Sequence, residues 1–511
     1  MADAARQRER PSWTTILGGV RTFAILPDWL VGAVQGARVC STLTRRIPEF
    51  ASGVLILQDC RAKHFLLSDD GAGWIGAYYV TIAEPGSEQS HAVRLQGTLL
   101  PPDQAAPAAT AATVTFGSDG WRMYVPELRV LLQMQRPAAQ LEVLPHLTDP
   151  EHARALLEQS IRAHAPTYRD LHIESCRPDV LRYHPGLRCT IGYHLTYASN
   201  EAAGHAWPTF VVAKTYDSEQ GQNAYDCMQA LWGSTLGRRS AVTIAEPLAY
   251  LPELKLLVQG PIPAEQTLQA LIGSALHPNT PEALAALDDY MGKTAAGLAE
   301  LHSAGMGIGT AHHWEDELAG VRAFVQRLTT AVPDLATAAT PLFTCLESLA
   351  AMWPPDPPVP THGTFRPSQV LIDHGRIGFI DFDSFCQAEP AMDLALFRVA
   401  IIDMGMSAVL REEHSGTELA LTHGHMDRLA QLESIADQFL AHYAALRPVS
   451  RQRVALWEAL NILELVVRCW ERVKPLRLKH IILMLERQLR AQIDEGNASE
   501  REIGTRRDHA T

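Results

Sequence analysis

The segment "PTHGTFRPSQVLIDHGRIGFIDFDSFCQ", from Pro360 to Gln387, decides the fold. Its short β-branched runs, separated by glycine turns, predict a tight loop, a strand, a turn and a second strand. Two carboxylates, Asp381 and Asp383, follow at the exit of the second strand. Carboxylates in that position usually hold a metal ion or move a proton. The loop before the first strand, residues 362–369, contains no carboxylate.

The chain changes character on the N-terminal side of this segment, at about Ala264. Before that point, stretches such as "GVLILQDC" and "WIGAYYVTIAEPG" are rich in β-branched and aromatic residues, which favour strands. After it, stretches such as "MDRLAQLESIADQFLAHYAALR" repeat apolar residues at helical spacing. The loop-and-carboxylate segment therefore lies within the helical half.

Composition limits the class of protein. A length of 511 residues predicts two to four domains, and 47% hydrophobic residues with 20% charged residues is typical of a globular protein. The net charge of −13 argues against a nucleic-acid partner, which requires a basic face. Eight scattered cysteines without a C-x-x-C pair predict reduced thiols in a cytoplasmic protein. No uninterrupted apolar span or signal-type N-terminus is evident, so no membrane association is expected.

Two strand-rich blocks resemble each other. The stretch "DCRAKHFLLSDDGAGWIGAYYVTIAEPG" begins with Cys-Arg and reaches an Ile-Gly-Ala-Tyr strand, and "SCRPDVLRYHPGLRCTIGYHLTYASNEAAG" does the same with Ile-Gly-Tyr. Such similarity indicates either an internal duplication or two unrelated antiparallel meanders, because strands share a common composition. Both explanations remain open at this stage.

Two features of the second block suggest anion binding. Pro185-Gly186 joins two strand halves, and a glycine turn lets backbone amides approach phosphate oxygens, although a plain hairpin accounts for it as well. Lys214 lies in a β-branched strand, where a buried lysine needs an anionic partner, unless it reaches solvent at the strand end. Asp226 in the following helix is the candidate partner, and Glu219 is its competitor.

Two further features follow before the opening segment. The strand "KLLVQ" runs into Gly260-Pro261, where the strand-rich half ends, and its backbone groups are available to a flat heterocycle. His302, in "GLAELHSAG", stands at helical spacing from two leucines, which predicts core packing. The pairs His312–His313 and His423–His425 lack convincing partner sets, so they are interpreted as surface histidines and not as metal ligands.

The order and spacing of these features resemble the aminoglycoside phosphotransferase and choline-kinase-like family of small-molecule kinases. That family carries "HGD-x-x-x-x-N-v-l-v-d … i-D-f-D/E", and this chain has "HGTFRPSQVLID … FIDFD" followed by Asp393-Leu394-Ala395. The resemblance covers about residues 177–485. It implies an α+β, two-lobed protein-kinase-like fold with a β-rich N-lobe and a helical C-lobe. An extra β-rich N-terminal domain precedes it.

The resemblance and the residue patterns outside it together predict five segments. They are an N-terminal extension (residues 1–45), a β-rich domain that is a possible degenerate duplicate of the N-lobe sheet (46–165), an N-lobe with hinge (166–262), a helical C-lobe (263–488) and a disordered tail (489–511). The Pro/Ala-rich stretch 101–113 is expected to be an exposed connection.

The resemblance also implies a nucleotide site for ATP. Lys214 would contact the α- and β-phosphates, and Gly186 would lie in the loop that approaches them. Gln259, Gly260 and Ile262 would belong to the hinge that receives adenine.

The metal and catalytic loops follow from the same resemblance. Gln369 takes the place of a metal-binding Asn, Asp381 that of the main Mg²⁺ ligand, and Asp383 is an alternative ligand. Asp393 would hold the backbone of the catalytic loop, and His362 would support that loop from beneath.

The catalytic loop departs from the family pattern at three positions. Thr364 replaces the catalytic Asp, and a hydroxyl can orient an acceptor but cannot act as its base. Gln369 replaces Asn and moves the amide oxygen outward by one methylene, about 1.5 Å. Arg366 either neutralises phosphate charge or stacks on the surface.

These departures leave two main hypotheses. The first is an ATP- and Mg²⁺-dependent phosphotransferase that acts on a hydroxyl of a small molecule, with Thr364 in place of the base. The second is a pseudokinase, a nucleotide-binding or non-catalytic scaffold, with a possible protein partner at its N-terminal domain. Nucleotidyl transfer is a third possibility, without a positive feature in the sequence.

Overall fold

A computed structural model describes most of the chain, and it divides into two compact units. The described residues are 11–87, 89–102, 114–134, 143–184, 188–198, 205–216, 218, 220–234, 242–276, 279–412 and 423–508. The first unit comprises residues 1–137, 314–354 and 458–511, and the second comprises residues 138–313 and 355–457.

The first unit contains a five-stranded antiparallel sheet preceded by four short helices. The strand order is β1-β2-β3-β5-β4. The helices are α1 (Trp13–Phe23), α2 (Asp28–Val34), α3 (Gly36–Arg46) and α4 (Pro48–Ala51). The strands are β1 (Ile56–Leu67), β2 (Trp74–Ala83), β3 (Ser90–Leu99), β4 (Arg122–Val125) and β5 (Val130–Met134).

The second unit begins with two helices and a second five-stranded antiparallel sheet, whose strand order is β10-β11-β8-β7-β6. Asp149 caps the second helix by accepting a hydrogen bond from the amide of His152, and Pro150 opens it, as the Asp-Pro pair predicts. The elements are α5 (Leu144–Thr148), α6 (Pro150–His164), β6 (Ser175–His184), β7 (Arg188–Thr196), β8 (Phe210–Thr215), α7 (Gln220–Gly233), β9 (Val242–Ile244), β10 (Pro247–Leu251) and β11 (Leu256–Gln259).

The remainder of the second unit is mainly helical. Strands β12, β14, β15 and β9 form one small sheet in that order, and β13 pairs with β16. The elements are β12 (Gln266–Thr267), α8 (Leu268–Ala275), α9 (Pro281–His302), β13 (Val359–Thr361), β14 (Val370–Asp373), β15 (Arg376–Phe379), β16 (Cys386–Ala388), α12 (Pro390–Glu412) and α13 (His423–Leu446).

Four further helices complete the chain. They are α10 (Trp314–Ala331), α11 (Leu335–Met352), α14 (Arg451–Glu471) and α15 (Pro475–Asp508). Helix α1 packs closely on α11, because a Cβ atom added at Gly19 would lie 2.4 Å from the carbonyl oxygen of Ala338. The indole N–H of Trp470 donates to the carbonyl of Phe23, which ties α14 to the end of α1.

Within the described part of the chain, two segments are long and apolar enough to cross a membrane by composition alone: Trp13–Val34 and Leu335–Met352. The first was not expected from the polar N-terminus, and in the structure it folds as α1 and α2 with a break before Asp28. Both belong to the first unit, where α1 and α11 pack on each other. Core helices pass the same composition test.

The predicted α+β class is confirmed, with antiparallel sheets in the N-terminal part of the chain and helices after them. The segment 13–46, expected only as an extension, forms helices α1–α3. Helix α15 runs to Asp508 through most of the expected tail. The expected connection at 101–113 lies almost entirely outside the described residues.

Candidate active site

The two carboxylates of the opening segment converge on one lysine. Asp381 follows β15 in the left-handed backbone conformation, with φ 75° and ψ 54°, and starts the 3₁₀ turn Phe382–Ser384. That turn brings both carboxylates to the ammonium of Lys214 on β8. Its Nζ lies 2.5 Å from Oδ2 of Asp383 and also donates to Oδ1 of Asp381. A non-glycine residue in this conformation costs about 1–2 kcal/mol, which the contacts of the turn must offset.

The two carboxyl groups that share Lys214 have opposite pKa shifts. Burial would raise the pKa of Asp381, but the Lys214 charge and the Gln369 amide outweigh burial and hold that pKa well below its usual range. Burial raises the pKa of Asp383, and the Asp381 charge adds to the rise against the opposing effect of Lys214. Asp381 is therefore the carboxyl group that holds its negative charge more firmly.

Tyr216 is a further partner that the sequence did not reveal. Its hydroxyl donates to Oδ1 of Asp383 at 2.8 Å, and its ring lies 5.4 Å from the ammonium of Lys214. Burial raises the pKa of Tyr216 far above its usual value, so the hydroxyl remains a donor. The ring is held by the start of α7, because a Cβ at Gly221 would lie 2.6 Å from it.

Helix α7 does not bring its acidic residue to the lysine. The exposed Asp226 carboxylate accepts from Nε2 of Gln222 at 2.8 Å, and the described ion pairs of Lys214 are with Asp381 and Asp383 instead. Glu219, the competing candidate, lies outside the described residues.

Asp393 holds the loop that carries His362 and Gly363. Its fully buried carboxylate accepts the backbone N–H of His362 at 2.7 Å and that of Gly363 at 2.9 Å. Gly363 has φ +81°, and a Cβ there would lie 2.0 Å from the carbonyl oxygen of Ser384. Only glycine fits this position, so the loop is fixed by sterics and by two charge-assisted hydrogen bonds.

His302 extends this support and was not predicted as more than core packing. It is buried, its Nε2 lies 3.1 Å from Oδ2 of Asp393, and its Nδ1 lies 2.7 Å from the hydroxyl of Tyr443 on α13. Burial lowers the pKa of His302, which keeps the ring neutral. Helical spacing correctly predicts that His302 is buried, but spacing alone does not identify partners that are distant in sequence.

His362, at the start of the loop, is fully buried. Its Nε2 lies 2.9 Å from the carbonyl oxygen of Ile380, just before Asp381, and its ring packs 4.8 Å from that of Phe382. The histidine therefore connects the loop to the turn that carries the carboxylates.

The side chain of Gln369 lies between Thr364 and Asp381. Its Nε2 donates to Oγ1 of Thr364 at 3.3 Å and to Oδ2 of Asp381 at 3.2 Å, while its Oε1 is buried without a hydrogen-bond partner among the described residues. Arg366 is exposed at the start of the 3₁₀ turn Pro367–Gln369, and its carbonyl accepts the amide of Gln369. Thr364 is half-buried.

The expected hinge residues lie at the end of β11. Gln259 pairs with Val212 of β8, and the amide of Gly260 donates to the carbonyl of Glu246 at 2.8 Å. Ile262 lies against β15, since a Cβ at Gly378 would be 2.7 Å from its Cγ2 atom. Gly186 lies outside the described residues.

The side chains of this site fit a hard metal cation that lies next to an anionic ligand. The ionised Asp381 and the unpartnered amide oxygen of Gln369 are the oxygen ligands that Mg²⁺ prefers. The ammonium of Lys214 lies beside them, and an ammonium group is a suitable partner for phosphate oxygens.

Comparison with known proteins agrees with this geometry. Residues 213–432 match the phosphotransferase enzyme family, and this segment contains the lysine, both loops and Asp393. The match confirms the family resemblance drawn from the catalytic-loop motif. Among curated proteins, none matches the chain.

Solved structures of small-molecule kinases cover most of the chain at low identity. A glucosamine kinase in complex with glucosamine, ADP and inorganic phosphate is 13% identical, covers 86% of this chain and 96% of its own, and has a TM-score of 0.44. The ADP-bound aminoglycoside phosphotransferase APH(2'')-Ib is 14% identical, covers 63% and 97%, and has a TM-score of 0.39. APH(3'')-Id from Streptomyces rimosus is 15% identical, covers 54% and 89%, and has a TM-score of 0.33. The family assignment rests on the match over residues 213–432 and not on these scores.

Proposed function

We propose that this chain, whose residues 213–432 match the phosphotransferase enzyme family, transfers the γ-phosphate of ATP to a hydroxyl group of a small molecule with the help of Mg²⁺. The observation that carries the proposal is the cluster of Lys214, Asp381 and Gln369. This cluster combines an ammonium, an ionised carboxylate and a buried amide oxygen that has no hydrogen-bond partner among the described residues.

The residues of this cluster have different roles in binding. Lys214 pairs with phosphate oxygens once a nucleotide competes with its two carboxylates. Asp381 and Gln369 hold the metal, and Asp383, fixed by Tyr216, is the nearby alternative ligand. Bound Mg²⁺ supplies charge neutralisation between the phosphates, which is the main electrostatic requirement of phosphoryl transfer.

Thr364 takes part by orientation. Its half-buried hydroxyl is fixed by Gln369, at the position where the family places its base. A threonine can accept a hydrogen bond from the acceptor hydroxyl and align it, but it cannot take the proton. Loss of the base costs typically about 10²–10⁴-fold in rate, so transfer driven by positioning and metal charge survives at reduced speed.

The test is ATP consumption with a panel of sugars, amino alcohols and aminoglycosides in the presence of Mg²⁺. Wild-type protein is expected to turn over at least one acceptor, and Asp381→Ala is expected to abolish that turnover. Turnover that survives Asp381→Ala would belong to a contaminant and would remove support for the proposal.

The alternative function is a pseudokinase, favoured by Thr364 and Gln369 together. It predicts nucleotide binding, or none, without turnover on any acceptor. Thermal-shift titration with ATP, with and without Mg²⁺, separates a nucleotide-binding pseudokinase from one that binds no nucleotide. We propose a cytoplasmic location in either case, because eight scattered cysteines without a C-x-x-C pair are typical of a protein with reduced thiols.

A further inference from the structure

The two five-stranded sheets of this chain have the same construction. The strands β1, β2, β3, β4 and β5 correspond in chain order to β6, β7, β8, β10 and β11. With this correspondence, the strand orders β1-β2-β3-β5-β4 and β6-β7-β8-β11-β10 are identical. Each sheet is preceded by a short helix, a single connecting residue and a second helix: α2, Gln35 and α3 in one case, and α5, Asp149 and α6 in the other.

Buried tyrosines make equivalent contacts in the two sheets. The hydroxyl of Tyr78 donates to the carbonyl of Ala33 at 2.8 Å, and that of Tyr193 donates to the carbonyl of Leu147 at 2.9 Å. Each carbonyl lies two residues before the connecting residue of its helix pair. The tyrosines occupy corresponding strands, β2 and β7, which fixes the register of the comparison.

A shared turn and a shared bulge extend the match. "YVPELRVLLQ" (124–133) and "YLPELKLLVQ" (250–259) each form a strand, a Pro-Glu-Leu 3₁₀ turn, a left-handed residue and a second strand. The left-handed residues are Arg129 (φ 48°) and Lys255 (φ 46°). The first strand of each sheet also carries a bulge at the corresponding place, between Lys63 and Leu66 and between Val180 and Arg182. Residues 28–134 therefore share their order of elements and their sheet topology with residues 144–259.

We call the sheet face that carries Lys214, and the equivalent face of the first sheet, the open face. The residues on the two open faces differ. Lys214 pairs with Leu257 on β11, and the residue that pairs with the equivalent Leu131 is Thr98. The other strand neighbour of Thr98 is the exposed Ile75. The first sheet thus lacks the lysine that organises the candidate active site, because Thr98 stands at the equivalent position.

A cationic cleft lies on this open face, at the end of the strands away from Thr98. It has a volume of about 410 Å³ and is lined by Asp59, Arg61, Lys63, His64, Tyr79, Thr81 and Ala92. The guanidinium of Arg94 lies over the ring of Tyr79 at 5.5 Å, and the ring of His64 meets the same tyrosine edge-on at 6.2 Å. One guanidinium and one imidazole therefore contact the same aromatic ring.

The charge of the cleft contrasts with that of the chain. Arg61, Lys63 and Arg94 face one carboxylate, that of Asp59, which Arg61 engages at 2.7 Å. Lys63 and Arg94 have no carboxylate partner among the described residues, although the whole chain carries a net charge of −13. His64 holds a left-handed backbone conformation, with φ 58°, at the bulge that shapes the cleft.

We propose that residues 28–134 are a second copy of the 144–259 module, and that its open face binds a phosphate-bearing small molecule in the cleft formed by Arg61, Lys63, His64, Tyr79 and Arg94. The guanidinium and ammonium groups pair with phosphate oxygens, and the Tyr79 ring packs against the organic part. A small ligand fits better than a long polyanion or an anionic membrane, because the strongly negative chain repels extended anions. This site is independent of the function proposed for Lys214.

Isothermal titration of the full-length protein with inorganic pyrophosphate tests the proposal. The double variant Lys63→Ala/Arg94→Ala is expected to bind pyrophosphate about tenfold more weakly than wild type, since each lost cation removes a charge-assisted contact. Lys479→Ala, an exposed lysine on α15 of the same unit, makes the same kind of charge change elsewhere and is expected to have no effect. All variants change exposed side chains, and an unchanged melting temperature verifies their folding.

Lys214→Ala separates this site from the active site. Pyrophosphate binding at the cleft is expected to persist in Lys214→Ala and to weaken as NaCl is raised, because exposed charges are screened. The proposal is overturned if wild type does not bind pyrophosphate, if the double variant binds like wild type, or if Lys214→Ala alone removes all binding. Tighter binding of a duplex DNA oligonucleotide than of pyrophosphate would assign the cleft to polyanions and would also overturn it.

Discussion

Gln369 turns its amide nitrogen, and not its oxygen, toward Asp381: Nε2 lies 3.2 Å from Oδ2, while Oε1 is buried without a partner among the described residues. The amide therefore acts as a hydrogen-bond donor to the carboxylate that we propose as the Mg²⁺ ligand. Metal binding requires this side chain to rotate and present its oxygen. The longer glutamine makes that arrangement harder to reach, because Mg²⁺ demands near-octahedral geometry.

Gln369→Asn is expected to lower the Mg²⁺ concentration that gives half of the ATP-induced thermal shift. The shorter side chain retracts the amide oxygen by about 1.5 Å, to the distance that the family pattern uses. Titration of Mg²⁺ at fixed ATP measures the effect, with Ser368→Ala, an exposed neighbour, as the matched control. An unchanged Mg²⁺ requirement in Gln369→Asn would exclude this residue from the metal site.

Thr364→Asp is expected to raise kcat, by up to about 10²–10⁴-fold, because it restores a carboxylate that can take the proton of the acceptor hydroxyl. KM for the acceptor should change less, since positioning is retained. Steady-state kinetics on an acceptor that wild type uses provides the measurement. Thr364→Asn has nearly the same shape without basicity and should give no comparable gain. Equal rates in the two variants would show that the missing base does not limit transfer.

Asp393→Asn is expected to lower the free energy of unfolding by about 1–3 kcal/mol, because a buried amide replaces the carboxylate that accepts two backbone N–H groups and faces His302. Urea denaturation measures the change. Asp226→Asn, at an exposed carboxylate, is the control and should remain within about 0.5 kcal/mol of wild type. Equal destabilisation by the two substitutions would contradict the role of Asp393.

His302 predicts a pH dependence of stability. Burial between Asp393 and Tyr443 lowers its pKa in the folded state, so below the ordinary value of 6.5 the unfolded chain binds this proton more readily than the folded chain. The contribution of the neutral ring is therefore complete above that value and is lost as the pH falls below it. The free energy of unfolding should fall less between pH 7.5 and 5.5 in His302→Gln than in wild type. Parallel pH profiles of the two proteins would show that His302 does not titrate on unfolding.

The sequence predicted the fold class because the catalytic-loop segment is local and strongly patterned. The glycine turns, the strand pair and the trailing Asp393 lie within a short stretch, and their spacing was enough to identify the family that the comparison confirms. Gly363 shows why the pattern is so specific: its positive φ and its contact with Ser384 exclude every other residue.

The sequence could not predict the partners that the tertiary fold supplies. Tyr216 and Tyr443 reach Asp383 and His302 across large separations in sequence, and periodicity only indicates that such residues are buried. Asp226 shows that a partner predicted from the sequence can also be wrong. Its place on α7 depends on the rotation of that helix, which turns the carboxylate to solvent and away from Lys214.

The most direct test of the proposed function is transfer of radiolabelled γ-phosphate from ATP to a hydroxyl acceptor, compared in wild type and Asp381→Asn. The account predicts transfer by wild type that requires Mg²⁺ and is lost with chelator, and no transfer by Asp381→Asn, which keeps the shape of the side chain but not its charge. No Mg²⁺-dependent transfer to any acceptor by a wild-type protein that binds ATP, or equal transfer by both proteins, would contradict it.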